Sequence, residues 1–452
     1  MPGVLPTINQ KAIEYTAMTA LALNCTVSEY AKFDRKNYPY PDLVKGYQIS
    51  QYDAPIGQHG WLVFDIDDTK KRVGITRVHL EEDTAKLTHC TAPEGKSYSL
   101  VDVNRAGVPL MEIVGEPDIR SPEEARQYLV KLRAILQYLG VSTGNMEEGS
   151  FRCDANISIR PTGSSEYLSK VEVKNMNSFK AVYRALDYEA ERQRQELEKD
   201  GKLVQETRGW VEEKGITVSQ RSKEYAHDYR YFPEPDLPPL TFSRSWLEDI
   251  KSSLPELPDA RRDRFISQYS LPSYDANLLT DSKAMANYFE DCVKFITSSS
   301  NGNNLHKKAK AVSNWLLGDF SRMLNITNTA IEEAKFAPQY LVEMLDLMDT
   351  GTLSGPAAKK VFEETFVTGI VTSVSDIVAK KGLSQIRDSS EIDKIVAQVI
   401  TSNSQAVSDF EAGKQQALSF LVGQVMKASR GRADPALAKE AILDKLGGKR
   451  NA

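Results

Sequence analysis

The chain has 452 residues, 41% hydrophobic, 26% charged and 8% aromatic, a length that implies two or three compact units rather than one core. A mean hydropathy of −0.42 and the lack of any apolar run near ~18 residues exclude a membrane-spanning helix. With 57 basic against 62 acidic residues the net charge is −5, which excludes nonspecific nucleic-acid binding over the whole surface but allows a local basic patch.

In chain order, the first ten residues carry two prolines and no basic cluster, so no cleavable signal is expected. The four cysteines, Cys25, Cys90, Cys153 and Cys292, are scattered and form no CxxC pair. That argues against a disulfide scaffold or a cysteine zinc module and fits a reducing compartment. The string Lys32–Tyr40 interleaves basic residues and tyrosines. It reads either as a tyrosine-rich loop or as a platform for a stacked base. Alternation around Val73 and Ile75 slips phase before Val78 and Leu80, which predicts a bulged strand.

Ser121, Pro122 and Glu124 predict a capped helix that buries Ala125, Leu129, Leu132, Leu136 and Leu139 and stops at Gly140. A strand is predicted from Phe151 to Ile159, with Phe151, Cys153, Ala155, Ile157 and Ile159 on one face. A shorter one sets Val171 and Val173 against Glu172 and Lys174, and a helix follows from Ser178 to Asp200 with Gly201 as its C-cap. Mixed strands and helices predict an α+β domain on a largely antiparallel sheet. The string Phe232–Leu240 holds four prolines and marks a domain boundary. Beyond it the pattern is helical. Ser298–Asn304 reads as a linker dividing the helical half, and the tail after Ala428 is basic.

Acidic residues gather beside glycine or proline in three strings: His79–Asp83, Pro109–Asp118 and Glu147–Gly149. Hard oxygen ligands of this kind suit Mg²⁺; the alternative is a set of solvated surface acids. Lys36, Arg105, Arg152 and Lys174 lie in equally polar strings, so cations and anions are expected to meet on one sheet face. Mg²⁺ beside cations is the equipment of phosphoryl transfer, yet no Walker A, GxGxxG or kinase signature is present. His79 and His227 read as structural histidines or as bases or ligands. The His227–Phe232 string shares the ambiguity of Lys32–Tyr40. No Ser-His-Asp or Cys-His order supports nucleophilic catalysis. The basic tail reads as a solvated end or a contact to RNA phosphates.

At these strings the sequence resembles the GatB family, the B subunits of the tRNA-dependent aspartyl/glutamyl amidotransferases. The motifs are FDRKNYPYPDLVKGYQISQYD from Phe33, GITRVHLEED from Gly74, VDVNRAGVPLMEIVGEPDIRSPEEA from Val101 and NMEEGSFRCDANISIRP from Asn145. VEVKNMNSF from Val171, QETRGW from Gln205, HDYRYFPEPDLPPL from His227 and FLVGQVMKASRGRADP from Phe420 follow in family order. The resemblance implies a cradle-like catalytic domain over residues 1–240, a helical domain over 241–297, and over 298–452 a helical, all-α YqeY-like tail that holds tRNA from about Asn314 onward.

It further implies an ATP- and Mg²⁺-dependent subunit that phosphorylates the side-chain carboxylate of Glu on tRNA-Gln or Asp on tRNA-Asn. Ammonia from an amidase subunit (GatA-like), clasped by a small subunit (GatC-like), then displaces the phosphate and gives the amide. Such chemistry suits the residues, because a carboxylate is a poor electrophile until its oxygen becomes a phosphate leaving group. Glu82 and Glu112 are the implied metal carboxylates. Lys36, Gln48, Ser50 and Gln51 match the nucleotide and acyl-end pocket. Arg105, Glu147, Glu148, Arg152, Asp154 and Lys174 match cradle motifs, with Glu147, Glu148 and Lys174 as catalytic candidates and Arg105 and Arg152 as cofactor-binding ones. The family's opening strand, with a G-L-E-x-H motif whose histidine binds the metal, has no counterpart here. The alternative expectation is therefore a tRNA-binding scaffold with an incomplete catalytic site. Bacterial cytoplasm is the expected compartment, with the mitochondrial matrix as the alternative.

Overall fold

The computed structural model describes residues 4–447 apart from 68, 165, 200, 223–228, 300–303, 370–371, 387–388 and 430. Two compact units divide the chain, Met1–Pro258 and Asp259–Ala452. Among the described residues no helix is long and apolar enough to cross a membrane.

The first unit starts with helix α1 (Gln10–Ala22), capped where the Asn9 side chain accepts from the Ala12 amide. The strands β1 (Thr26–Val27), β2 (Tyr30–Ala31), β3 (Asp34–Asn37) and β4 (Tyr47–Ser50) follow, then the long hairpin β5 (Gly57–Ile66) and β6 (Thr69–Glu82). Next come the exposed hairpin β7 (Lys86–Thr91) and β8 (Ser97–Asp102), strand β9 (Pro109–Gly115) and helix α2 (Pro122–Leu139). Strands β10 (Ala155–Ile157) and β11 (Val171–Lys174), helix α3 (Phe179–Glu198), strands β12 (Glu206–Val211) and β13 (Ile216–Ser222), the short β14 (Phe232–Pro233) and β15 (Leu240–Thr241), and helix α4 (Arg244–Ser252) complete it. The main sheets run β1-β5-β6-β9 and β10-β11-β12-β13, with β14-β3-β4 beside them. All pairs in them are antiparallel except β11–β12. The unit is α+β, as the mixed pattern predicts.

Helix α2 forms as its sequence requires. The Ser121 hydroxyl accepts from the Glu124 amide, Pro122 stands at the start, and Gly140 ends the helix in the left-handed region. The return bond of the capping box falls one residue early, from the Arg120 amide to the Glu124 carboxylate at 2.7 Å. Its five predicted apolar residues are all buried, in one cluster with Phe64, Val73, Ile75, Val171, Val173 and Trp210. Burial of each of the four leucines contributes about 1.5–3 kcal/mol. Gly60 is required by close approach: a Cβ there would lie 2.5 Å from the Leu23 carbonyl oxygen, which accepts from the Trp61 amide.

Three local expectations change. The strand expected over 151–159 is reduced to Ala155–Ile157. Upstream, the Ser150 and Phe151 amides both turn back to the Asn145 carbonyl; downstream, the Gln193 side chain takes the Ile157 carbonyl and the Ile159 amide in place of a neighbouring strand. Helix α3 ends with Lys199 at the C-cap position, and Gly201 stands two places beyond it, where its amide still satisfies the last turn by donating to the Glu196 carbonyl; Asp200 lies outside the described residues. The first unit continues past the proline string to Pro258, because Trp246 and Ile250 of α4 pack with Ile13, Phe33 and Leu80.

The second unit is helical. Helices α5 (Pro258–Tyr269), α6 (Ser273–Thr280), α7 (Lys283–Ser299), α8 (Leu305–Trp315), α9 (Ser321–Thr327), α10 (Pro338–Asp349), α11 (Gly355–Thr368) and α12 (Val374–Lys380) share one apolar cluster from Phe265 to Val378. Phe362 packs edge-to-face on Phe336 with centroids 4.9 Å apart. A π turn, Leu316–Phe320, joins α8 to α9, with the Ser321 hydroxyl donating to the Leu316 carbonyl. The string expected to be a linker contains the end of α7; its residues 300–303 lie outside the described residues. Helices on both sides of it bury residues in the same cluster, so it separates helices and not cores. A second cluster lies farther on, in α13 (Ser389–Ser402), α15 (Gln415–Ala428) and α16 (Pro435–Lys445), with α14 (Ser404–Glu411) packed beside α15.

Candidate active site at the end of the long strand

Strand β6 pairs with β5 and β9, and its pairing with β9 slips between Ile75 and Arg77. Beyond this bulge Val78 and Leu80 are buried apolar residues, while His79 and Glu81 alternate with them and are also buried. Residues two apart in a strand share a face. His79 stands opposite Glu112 of β9. The His79 Nε2 lies 3.6 Å from an oxygen of Glu81 and 3.6 Å from one of Glu112. The ligand atoms of the three residues all fall within 4.8 Å of one another, a spacing a single divalent cation can bridge. Arg77 Nε donates to His79 Nδ1 at 3.3 Å.

Around this group two residues of β4, and Gln51 just after it, do distinct work. The Ser50 hydroxyl donates to Glu81 at 3.1 Å. The Gln48 amide donates to the Glu82 carbonyl at 2.8 Å, and Gln51 accepts from the Leu80 amide at 3.1 Å. All three are buried. Burial pushes the Glu81 carboxyl up, but His79, Lys36 and Ser50 outweigh it and hold it below the usual range. It is therefore an anion at neutral pH.

The two tyrosine-rich strings meet here. The Asn37 amide bonds the Tyr229 carbonyl, and the Lys36 ammonium sits 5.1 Å from the Tyr229 ring centroid and 5.9 Å from that of Tyr38. Tyr52 stacks on Tyr231 at 4.3 Å and 10°. Burial, followed by Asp42 and Glu81, raises the Tyr38 hydroxyl; burial, followed by Glu81, raises that of Tyr231. Both stay protonated and able to donate. His227 and Asp228 lie outside the described residues.

The expected partners of Glu112 divide. Glu82 gives its carboxylate to the Lys45 ammonium and the Ile49 amide; the carboxylate grouped with Glu112 belongs to Glu81, one residue earlier and on the alternate face. Glu147 and Glu148 are exposed on a turn whose amides donate to the Asn145 side chain. Arg105 and Arg152 both pair with the buried Asp83, at 3.1 and 2.8 Å. Lys174 belongs to the second sheet, held by Asp154 at 2.8 Å and Glu172 at 3.5 Å. Burial lowers its ammonium pKa, but Asp154 outweighs that and it remains charged. The single sheet face expected to gather all four cations thus resolves into two places.

Sequence reasoning held Glu81 and Asp83 only as members of the acidic His79–Asp83 string, left His79 open between a structural histidine and a base or ligand, and passed over Lys45. The available signal was strand period: His79 and Glu81, two apart and flanked by Val78 and Leu80, are the polar half of an alternating strand.

Two family descriptions match the chain: the GatB/GatE catalytic domain over residues 1–248 and the GatB domain over 294–446. The chain belongs to the GatB family. It is 53% identical over 446 residues to the B subunit of the aspartyl/glutamyl-tRNA(Asn/Gln) amidotransferase of Carboxydothermus hydrogenoformans, covering 99% of this chain and 90% of that one. The corresponding B subunits of two Dehalococcoides mccartyi strains, CBDB1 and 195, are 54% and 55% identical over 450 residues with the same coverage. The GatB/GatE match contains the whole β6 corner, and the GatB match covers most of the helical unit.

Proposed function

We propose that the chain is the B subunit of a tRNA-dependent amidotransferase, and that its β6 corner activates the side-chain carboxylate of Glu on tRNA-Gln or Asp on tRNA-Asn with ATP. The observation that carries the reading is the His79–Glu81–Glu112 group beside the Lys36 ammonium, within a chain similar along nearly its whole length to proteins of that name. The donor set fits Mg²⁺: two carboxylates, one of them anionic by environment, within reach of one ion. Glu112 and Glu81 would hold it, and His79 could join them only after giving up the Arg77 bond, which uses the Nδ1 lone pair and leaves the proton on Nε2. Glu82, a ligand by family resemblance, would first have to release Lys45. Mg²⁺ supplies charge neutralisation on the transferring phosphoryl group.

The remaining work belongs to the chain. Lys36 is placed to attract anionic oxygens toward the corner, and the protonated Tyr38 and Tyr231 hydroxyls to donate to them. Ser50 keeps Glu81 aimed. The buried floor of Gln48 and Gln51 fixes the end of β6, so that charge developing on the carboxyl phosphate meets groups already in place. Ammonia, supplied by an amidase subunit held with a small third subunit, then attacks the acyl carbon. The amide forms as phosphate leaves. The helical unit would hold the tRNA body, and the bacterial cytoplasm is the proposed compartment.

The test uses the chain assembled with its amidase and small subunits, supplied with Glu-tRNA-Gln, Mg²⁺, ATP and ammonium. Gln-tRNA-Gln and ADP are expected together. tRNA binding without either product would overturn the reading in favour of a scaffold.

A further inference from the structure

Asp83 is the residue after Glu82, and its carboxylate is buried to 6% exposure. One of its oxygens accepts from the Thr84 amide at 2.9 Å. The other faces two cations, Arg105 Nε at 3.1 Å and Arg152 Nη2 at 2.8 Å. The backbone is pinned too: the Asp83 amide donates to Val108 at 2.7 Å, and the Asp83 carbonyl accepts from Gly107 at 2.9 Å. Arg105 reaches onward to the Gly149 carbonyl at 2.9 Å and the Glu148 carbonyl at 3.5 Å. A Cβ on Gly149 would come within 2.9 Å of that guanidinium.

Charge counting argues against simple glue. Two guanidiniums share one carboxylate, which leaves the trio one positive charge in excess. Both arginine side chains stay about half exposed, at 47% and 48%, although their inner edges are fixed. Guanidinium donors match the fork of a phosphate, and fixing them beforehand lowers the entropy lost on binding.

We propose that Asp83 is a positioning residue that holds Arg105 and Arg152 as one two-pronged clamp for phosphoryl oxygens. This rests on the activation chemistry proposed above and names the groups that receive its phosphates. The phosphates are those of ATP or those at the acyl end of the tRNA, and the test separates the two. Asp83 touches neither. It aims the two side chains that do, and it ties the turn bearing Glu147 and Glu148 to the end of β6.

Asp83→Asn removes the charge and turns an amide donor toward two donors. In the assembled complex, binding of inorganic tripolyphosphate is measured by calorimetry, and KM and kcat are measured separately for ATP and for misacylated tRNA. The expected result is a rise of about tenfold in at least one of these binding constants, the loss of roughly one charge-assisted hydrogen bond, with kcat within about twofold; the melting temperature falls as well, because a buried carboxylate no longer answers two guanidiniums, so the constants are read well below it. A higher KM for ATP with weaker tripolyphosphate binding assigns the clamp to the triphosphate; a higher KM for tRNA alone assigns it to the tRNA. All three constants unchanged in a folded variant would overturn the proposal. If Asp83→Asn does not fold, Arg152→Ala, at a half-exposed position, must show the same loss. A wild type that binds tripolyphosphate but makes no amide would refute the amidotransferase reading and leave the clamp standing.

Discussion

Arg35 and Glu234, 199 positions apart in the chain, form a fork: Nε and Nη2 of the arginine each meet a carboxylate oxygen at 2.7 Å. The pair fastens β14 and the proline string onto β3, and so brings Tyr229 and Tyr231 to the Lys36 corner. Burial pushes the Glu234 carboxyl up, but Arg35 outweighs it and the pKa lies below the usual range. The stabilisation is therefore complete above the ordinary glutamate value and is lost as pH falls through the lowered folded one. Glu234→Gln is expected to cost the first unit about 3–5 kcal/mol at pH 7, as for a broken buried pair. In urea unfolding the gap from wild type should narrow as the buffer is acidified; a gap unaffected by pH contradicts the assignment.

The His79–Glu81–Glu112 group separates two adjacent glutamates. Glu112→Gln is expected to abolish ATP-dependent amide formation while tRNA binding survives. Glu81→Gln should raise the Mg²⁺ concentration required for turnover. Glu82→Gln, whose amide oxygen can still accept from Ile49, should leave that requirement near wild type. Titrating Mg²⁺ against rate decides the matter, and the reverse order for Glu81 and Glu82 would return the ligand role to Glu82.

Gly149 has φ +68° and its Cβ position is occupied by Arg105. Gly149→Ala should destabilise the unit by only about 1 kcal/mol, because the crowded atom is the end of a flexible side chain and the backbone cost is that of one left-handed residue. Its larger effect should be on KM, since Arg105 must leave the 148–149 carbonyls. Equal KM values in mutant and wild type would show that Arg105 does not depend on that turn.

In the helical unit Phe362 is fully buried against Trp315, Phe320, Phe336 and Phe366. Phe362→Ala should cost about 3–5 kcal/mol. Calorimetry of the whole chain should show the loss in the transition of the second unit, leaving that of the first in place.

Local patterns in the sequence made much of this fold legible. The cap at Ser121, the stop at Gly140, the bulge in β6 and the alternation of Val171 and Val173 all depend on neighbours within a few positions. The strand expected over 151–159 keeps only Ala155–Ile157, and at its downstream end Gln193, far along the chain, takes the backbone groups that another strand would need. The site was legible by family resemblance as a set of motifs but not as contacts. Lys36, Ser50, Arg105 and Arg152 do lie about the end of β6. That Arg105 and Arg152 share Asp83, and that Lys174 belongs to another sheet, depend on long-range pairing that no spacing encodes.

The bulge between Ile75 and Arg77 sets a reading phase for everything after it. Upstream, odd-numbered Val73 and Ile75 face the core; downstream, even-numbered Val78 and Leu80 do, which frees His79 and Glu81 for chemistry. Deleting the single residue Thr76 would exchange the two sets, driving a histidine and a carboxylate into oil and turning valine and leucine toward Glu112 and Ser50. A few residues added at the exposed tip of the β7–β8 hairpin, near Glu94, would change nothing of the kind. Tolerance to a change in length thus differs sharply between two stretches fewer than twenty positions apart, and the stricter one need not touch a substrate at all.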